Sequence, residues 1–237
     1  MIRRMTDPLR LHYAPDNASL VIRLALEELG LAYETVLVDR SCGGQNSSAY
    51  RAINPNGLIP VLETPDGPIF ETAAILLWLA DRHGALAPPP DSPDRAAFLK
   101  WLFCASNTLH ADLRMLFYTE KYAGPDSAAQ AAVRTMLTER LDQHLKNFDA
   151  AAGTAWLGAD QPSVLDLYLA CLLRWMALYP QDFDRGWFDL SRHPALHAIC
   201  EGLETRASVQ AAITAEGLNA RPFTAPDYAT PPEGSAT

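Results

Sequence analysis

The stretch that decides the fold is Asn54–Thr72, which reads NPNGLIPVLETPDGPIFET. It begins with a turn at Pro55 and Gly57, after which the ring of Pro60 forces Ile59 into an extended conformation. A proline cannot donate a hydrogen bond to a sheet ladder, so Pro60 belongs at the start or the edge of a strand. We therefore expect the backbone N–H and carbonyl of Ile59 to stay free to pair with an extended peptide.

The rest of this stretch predicts a hairpin followed by a helix. Asp66-Gly67 is a turn signal between two short apolar strands, 61–62 and 69–70. Glu71 and Thr72 then open an apolar run of helical period, AAILLWLADRHG. A helix N-terminus presents N–H groups without intrahelical partners, which suit a carboxylate. The stretch thus predicts a site that holds a short peptide by its backbone and clamps its terminal carboxylate.

The chain before this stretch predicts a strand, a helix and a second strand. Leu9–Tyr13 alternates apolar and polar residues, positions 20–29 carry apolar residues at helical spacing, and Tyr33–Val38 is again strand-like. Strand, helix and strand over about thirty residues form a βαβ unit with a parallel pair. With the hairpin and helix that follow, the order is βαβ-ββα, which indicates a thioredoxin-like α/β domain over residues 1–84.

The remainder of the chain predicts an all-α domain over residues 94–220. A proline-rich stretch at 85–93, ALAPPPDSP, is typical of a stiff linker. Long helices are predicted at Arg95–Tyr122 and Ala128–Ala151. Ser163 and Asp166 have the spacing of a capping box and precede LDLYLACLLRWMAL, whose apolar character predicts the buried centre of the domain. The tail, 221–237, is rich in proline and small residues and is interpreted as flexible, either disordered or polyproline-like.

Composition excludes several classes of function. A formal charge of −9 argues against nucleic acid or an anionic membrane surface as a partner. The four cysteines are scattered without metal-ligand spacing, which predicts free thiols in a reducing cytoplasm. His193 and His197 lie one helical turn apart with no third ligand in sight, so no metal site is expected. Neither a signal peptide nor a membrane-spanning run is expected.

Five segments in order resemble the cytosolic glutathione S-transferases, and most closely their bacterial beta class: ASLVIRLALEELG, NPNGLIPVLE, WLFCASNTLH, LDLYLACLLRW and VQAAITAEGL. The resemblance runs from about Leu9 to Gly217 and leaves out the tail and the loop Arg40–Ser48. It implies a thioredoxin-like domain joined to a helical domain. It also implies a transferase that binds glutathione as its co-substrate, without a metal.

The resemblance also assigns residues to the glutathione site. It implies that Pro60 is cis, that Ile59 pairs with the cysteinyl backbone of glutathione, and that Glu71 and Thr72 hold its γ-glutamyl group. One position departs from the family pattern. The beta class usually has a cysteine just before the Ser-Leu that opens the first helix, and this chain has Ala18 there. Chemistry through a mixed disulfide at that position is therefore put in doubt.

Without a protein thiol, another group must favour the thiolate of glutathione. Lowering a thiol pKa of about 8.5 by about two units takes roughly 2.7 kcal/mol of stabilisation. A hydroxyl donor, at about 1.5–3 kcal/mol, together with a helix N-terminus, at about 0.3–1 kcal/mol, can supply this. Ser19 and Tyr13 are the candidates, and Ser19 is preferred because it adjoins the lost cysteine. The alternatives are a helix cap for Ser19 and a half-buried strand aromatic for Tyr13.

The acceptor side of the site is less well defined by the sequence. Of two polar beta-class residues on the long helix, the first is replaced by Phe103 and the second is kept as His110. His110 is interpreted as a polar group facing the electrophile, and Phe103 and Phe117 as an apolar lining. The expected function is conjugation of glutathione to an electrophilic apolar small molecule by a cytoplasmic homodimer. A non-catalytic ligand-binding protein and a glutathione-dependent reductase or dehalogenase remain as alternatives.

Overall fold

The first half of the chain forms a four-stranded mixed sheet in strand order β2-β1-β3-β4, seen in a computed structural model that describes residues 8–235. Its strands are β1 (Leu9–Tyr13), β2 (Tyr33–Leu37), β3 (Val61–Thr64) and β4 (Gly67–Phe70). β1 is parallel to β2, as the βαβ unit requires, and β3 is antiparallel to both β1 and β4. The predicted thioredoxin-like order is confirmed.

The strand register brings three chain segments to the same end of this sheet. His12 pairs with Val61, and Val61 pairs with Phe70, so these residues form the last rungs of two neighbouring ladders. The next residues at this end, one from each segment, are Tyr13, Pro60 and Glu71. The site predicted from the sequence therefore lies at one end of the sheet.

Helices cover the sheet, and further helices make up the second half of the chain. Those of the first half are α1 (Ser19–Glu28), α2 (Ser48–Arg51) and α3 (Thr72–His83). Those of the second half are α4 (Arg95–Cys104), α5 (His110–Phe117), α6 (Thr119–Ala123), α7 (Ser127–Ala151), α8 (Val164–Leu178), α9 (Pro194–Glu204) and α10 (Ala207–Glu216). None of the helices within residues 8–235 is long and apolar enough to span a membrane.

The long helix predicted at Arg95–Tyr122 is interrupted twice. A π-helical segment, Ala105–Leu109, separates α4 from α5. Tyr118 then leaves the helical region of backbone space, with φ −124° and ψ 45°, and ends α5 before α6 begins. Such π segments widen a helix locally and are frequent at functional sites. Here the segment immediately precedes His110.

Helix α8 is the buried centre of the helical half, as predicted. Ser163 and Asp166 form the capping box: the Ser163 hydroxyl accepts from Leu165 N–H at 3.1 Å, and the Asp166 carboxylate accepts from Ser163 N–H at 2.7 Å. Nearly every side chain of α8 is buried, and the helix packs against α1 of the first half. One apolar core therefore runs through both halves of the chain.

The tail differs from the prediction of disorder, because residues 221–235 are held to the body by specific contacts. Phe223 is buried, and the Glu204 carboxylate accepts from the N–H groups of Phe223 and Thr224 at 2.9 and 2.8 Å. Further along, Thr230 N–H donates to Gly217 carbonyl at 2.8 Å. Only glycine fits at 217, since its φ is +65° and a Cβ there would lie 2.0 Å from the Thr230 carbonyl oxygen.

Candidate functional site

The peptide edge at Ile59 has the geometry expected from the sequence. The Ile59-Pro60 bond is cis, which confirms that prediction. The preceding Leu58 carbonyl accepts from the Tyr50 hydroxyl and the Asn54 side-chain amide, both at 2.7 Å, so the turn before the strand is fixed. Among the described residues, neither the N–H nor the carbonyl of Ile59 has a hydrogen-bond partner. A strand of another molecule can therefore pair here.

Glu71 and Thr72 lie beside this edge at the start of α3. Glu71 has φ +73° and ψ 117°, a conformation that non-glycine residues rarely adopt and that costs on the order of 1–3 kcal/mol. Its carboxylate is exposed, while Thr72 is buried beside the Tyr168 hydroxyl. Glu71 is the N-cap residue of α3, so its backbone turn leads directly into the first N–H groups of that helix.

Ser19 is the first residue of α1 and Ala18 is its N-cap, at the end of the loop that follows Tyr13. Ser19 is fully buried, and its hydroxyl donates to the Ala14 carbonyl at 2.9 Å and accepts from Ala14 N–H at 3.3 Å. Ala18 is half-buried, and its N–H donates to the Asn17 side-chain oxygen at 2.8 Å. The Ser19 proton is thus directed into the loop rather than toward an open face, as in a local serine turn.

The Tyr13 hydroxyl, unlike that of Ser19, donates to a side chain from a distant part of the chain. The hydroxyl donates to the carboxylate of Glu233 in the tail, and the Arg23 guanidinium lies 4.9 Å from the ring centroid. Burial, and then the hydrogen bond to Glu233, raise the pKa of Tyr13 above its usual value, so the hydroxyl stays protonated. Glu233 itself is exposed. A surface residue of the tail is therefore the acceptor for the Tyr13 proton.

A buried ion pair fixes the loop between β1 and α1. The Asp16 carboxylate accepts from Arg174 Nε and Nη2, both at 2.8 Å, and from Trp175 Nε1 at 2.9 Å. Arg174 also donates to the carbonyls of Pro222 at 3.0 Å and Asp227 at 2.9 Å. The loop and the tail thus share one anchor on α8. Asp16 has φ +47°, which this pairing holds in place.

His110, the first residue of α5, packs against α8. Its Nδ1 lies 2.7 Å from the Tyr168 hydroxyl, and its ring packs against Trp175 at 5.9 Å between centroids. Burial, reinforced by the charge of Arg114, lowers the pKa of His110 to about 4. The imidazole is therefore neutral near pH 7 and acts as a hydrogen-bonding group rather than as a cation.

The two phenylalanines expected to line an acceptor pocket are not brought together. Phe117 packs edge-on against Tyr179 at 6.0 Å, and Tyr179 packs against Tyr228 at 5.8 Å, beside a cavity of about 190 Å³ covered by the tail. Phe103 instead lies on an exposed surface formed by α3 and α4, next to Trp78. Phe103 lies on the outward-facing side of α4, because other residues occupy the buried side of that helix.

Comparisons with known proteins agree with this geometry. The sequence model of the glutathione S-transferase N-terminal domain matches residues 18–82, and that of the C-terminal domain matches residues 127–202. Glutathione S-transferase GST-4.5 of Xanthomonas campestris is 30% identical over 89% of this chain and 100% of its own length. This chain belongs to the glutathione S-transferase family. A sphingomonad glutathione S-transferase solved with glutathione is 31% identical, with a TM-score of 0.70, over 89% of this chain and 100% of that chain.

Membership of the glutathione S-transferase family agrees with the resemblance drawn from the sequence. A beta-class glutathione S-transferase from Sphingomonas chungbukensis is 29% identical over 88% of this chain and 98% of that chain, with a TM-score of 0.69. At the end of the sheet, the structure brings together the segments that carry five of the expected site residues. They are Tyr13, Ile59, Pro60, Glu71 and Thr72, while Ala18 is the N-cap residue of α1.

Sequence reasoning missed three residues that shape this region of the glutathione S-transferase fold: Asp16, Arg174 and Glu233. One signal was available. Arg174 is the single charged residue in the apolar run LLRWMAL, and a buried arginine requires a buried acceptor. Its partner could not be identified from spacing, because Asp16 is 158 residues away.

Proposed function

We propose that this chain conjugates the thiolate of glutathione to an electrophilic apolar small molecule. The observation that carries the proposal is the meeting of an unpaired peptide edge at Ile59 with the N-terminus of α3, next to Tyr13. Glutathione is a short peptide with a free γ-glutamyl carboxylate and ammonium group, so both of its recognition features have a counterpart here. The family membership of the chain supports the same assignment.

The binding roles follow from the chemistry of each group. The N–H and carbonyl of Ile59 pair with the cysteinyl backbone of glutathione, as an added strand would. The first N–H groups of α3 and the Thr72 hydroxyl receive the γ-glutamyl carboxylate, and the Glu71 carboxylate receives the ammonium group. Ala18 then lies near the sulfur, where it offers no thiol of its own.

The geometry favours Tyr13 over Ser19 as the hydroxyl that stabilises the thiolate. Ser19 is fully buried and donates its proton to the Ala14 carbonyl. The Tyr13 hydroxyl donates to the exposed Glu233 of the tail, so a movement of the Glu233 side chain frees the Tyr13 proton for another acceptor. In the proposed mechanism the glutathione thiolate replaces Glu233 as the acceptor, and the hydroxyl stays protonated because its pKa is raised.

We further propose that two copies form a two-fold homodimer in the cytoplasm. The surface formed by α3 and α4 is a groove of about 520 Å³ whose apolar contributors are Ala74, Leu77, Trp78 and Phe103. Phe103 is 45% exposed and adjoins Leu77 and Trp78, so the groove presents a contiguous apolar surface for a partner to cover. A second copy of the same surface is self-complementary under two-fold symmetry. A sedimentation mass near the single-chain 26.0 kDa at micromolar concentration would contradict this dimer.

Calorimetry with glutathione, combined with turnover of 1-chloro-2,4-dinitrobenzene, tests the proposed function. Thr72→Ala removes one hydroxyl donor but leaves the helix N-terminus, so affinity for glutathione should fall by about 5- to 30-fold, or about 1–2 kcal/mol. Thr214→Ala is the matched control, because Thr214 is an exposed threonine of α10 whose hydroxyl donates to the Gln210 carbonyl of the same helix. Equal affinity in both variants would refute the site. Binding of glutathione without turnover of the electrophile would instead indicate a non-catalytic ligand-binding protein.

A further inference from the structure

The tail is held firmly in its first part and loosely in its second. Residues 221–227 are fixed by the buried side chain of Phe223 and by Arg174, which is fully buried and donates to the Asp227 carbonyl at 2.9 Å. By contrast, none of residues 228–235 is buried. Segments that bury little apolar surface open at a low cost in free energy. Residues 228–235 are called here the strap.

The strap crosses from the helical half to the sheet. At its start, the Tyr228 hydroxyl donates at 3.0 Å to the carbonyl of Leu178, the last residue of α8. Near its end, the Glu233 carboxylate accepts from the hydroxyl of Tyr13, the last residue of β1. The strap thus connects the end of α8 to the end of β1, beside the proposed conjugation site.

Gly234 lies closely against the first half of the chain. Its φ is +73°, and a Cβ at this position would lie 2.7 Å from Leu37 Cδ1 and 3.3 Å from Pro15 Cδ. A side chain at 234 would therefore push the strap and Leu37 apart. Gly84 also has a positive φ, +62°, but a Cβ there would meet no other described residue within 4 Å.

The inner face of the strap is not fully packed. A cavity of about 190 Å³ lies between the strap and the body, where Tyr179 and Gln181 line it. Protein interiors contain few voids of this size, because close packing is favourable. The strap therefore gains less from packing than a segment of the core, which agrees with its exposure to solvent.

Glutathione and the closed strap compete for one group. In the proposed mechanism the glutathione thiolate accepts the Tyr13 proton, and in the structure the Glu233 carboxylate accepts it. Both acceptors are negatively charged, so they repel each other when both approach the same hydroxyl. Glu233 is exposed and can leave into solvent with the strap.

We propose that the strap is an autoinhibitory segment, which must release Tyr13 before glutathione binds and which bound glutathione keeps open. This inference rests on the proposed conjugation of glutathione and adds a conformational step to it. Such coupling is reciprocal: a change that opens the strap strengthens glutathione binding, and glutathione in turn loosens the strap. The apparent Kd equals the intrinsic Kd divided by the fraction of molecules whose strap is open.

Hydrogen exchange, read by mass spectrometry of C-terminal peptides, tests the coupling in the wild-type chain. Thr230 N–H donates to the Gly217 carbonyl at 2.8 Å and reports the closed strap. Saturating glutathione should speed exchange in the strap by about threefold or more, with no change in residues 222–227. A ligand that merely bound beside the strap would slow exchange there. Unchanged or slower exchange with glutathione bound would overturn the inference and leave the proposed function intact.

Two variants open the strap by different means. Gly234→Asn places a side chain against Leu37, and Thr230→Pro removes the N–H that bonds to Gly217. Each should lower the Kd for glutathione, measured by calorimetry, by about three- to tenfold. Gly84→Asn is the matched control and should leave the Kd unchanged, because asparagine tolerates the left-handed conformation at the end of α3.

The outcomes separate this inference from the proposed function. If the wild type binds glutathione and neither strap variant binds it more tightly than Gly84→Asn, the strap is not autoinhibitory. If no chain, including the wild type, binds glutathione, the proposed function is wrong and the inference falls with it.

Discussion

Replacement of Glu233 by glutamine tests how the tail controls the candidate thiol-activating group. In the structure the Tyr13 hydroxyl donates to the Glu233 carboxylate. The same proton is needed by the thiolate of glutathione, so the two acceptors compete. Glutamine keeps the size and an acceptor oxygen but removes the charge, and we expect Glu233→Gln to make the enzyme more active.

The size of the expected gain in activity follows from the strength of the hydrogen bond that Tyr13 exchanges from Glu233 to the thiolate. A hydrogen bond to a charged acceptor contributes about 1.5–3 kcal/mol, whereas one between neutral groups contributes about 0.5–1.5 kcal/mol. The difference is about 1 kcal/mol once the exposure of Glu233 to solvent is taken into account. That free energy corresponds to a rise of about fivefold in kcat/KM for glutathione.

The assay is the initial rate of conjugation at a fixed concentration of electrophile and varied glutathione. Tyr13→Phe should lower kcat by about 10- to 100-fold, and in that background Glu233→Gln should give no gain, because the shared proton is absent. Glu139→Gln, a change of the same kind at an exposed position of α7, should have no effect. A rate that is unchanged or lower in Glu233→Gln would refute competition between the tail and the thiolate.

Two further predictions concern single side chains. Ala18→Cys should place a thiol at the N-terminus of α1 with a pKa below about 8.5, and it should capture oxidised glutathione as a mixed disulfide, releasing one reduced glutathione. Mass spectrometry would show a reversible adduct that the wild type lacks; no adduct would mean that the site lies elsewhere. Burial lowers the pKa of His110 to about 4, so the unfolded state binds its proton first as pH falls below about 6.5. Stability should therefore drop by about 1–2 kcal/mol between pH 7.5 and pH 5, and less in His110→Gln, as measured by urea denaturation; equal losses would contradict this.

Elements defined by short-range patterns were predictable from the sequence. The strand Leu9–Tyr13 has the predicted bounds, and the predicted helix Ala128–Ala151 begins one residue earlier, at Ser127. Alternation and helical period depend only on neighbouring residues, as does the capping box at Ser163. The π-helical segment before His110 was not predictable, because its apolar spacing differs little from that of a regular helix.

The candidate site was predictable in its parts but not in its connections. Turn residues and the resemblance located Ile59 and Glu71, whereas the choice between Ser19 and Tyr13 depended on side-chain direction. The contact between Tyr13 and Glu233 joins positions 220 residues apart, and no local pattern encodes such a pair. For the same reason a proline-rich tail was interpreted as disordered, since the groups that hold it lie on distant helices.

The buried ion pair of Asp16 and Arg174 constrains how the sequence of this protein can evolve. Asp16 shapes the loop of the thioredoxin-like half, yet its partner belongs to the helical half, and both side chains are shielded from water. Loss of either partner leaves an uncompensated buried charge, at a cost of about 3–5 kcal/mol. A hybrid that joins residues 1–84 to a helical half without an arginine at position 174 would contain Asp16 without its counter-ion. The two halves are thus expected to be inherited as one unit, and a viable exchange requires positions 16 and 174 to change together.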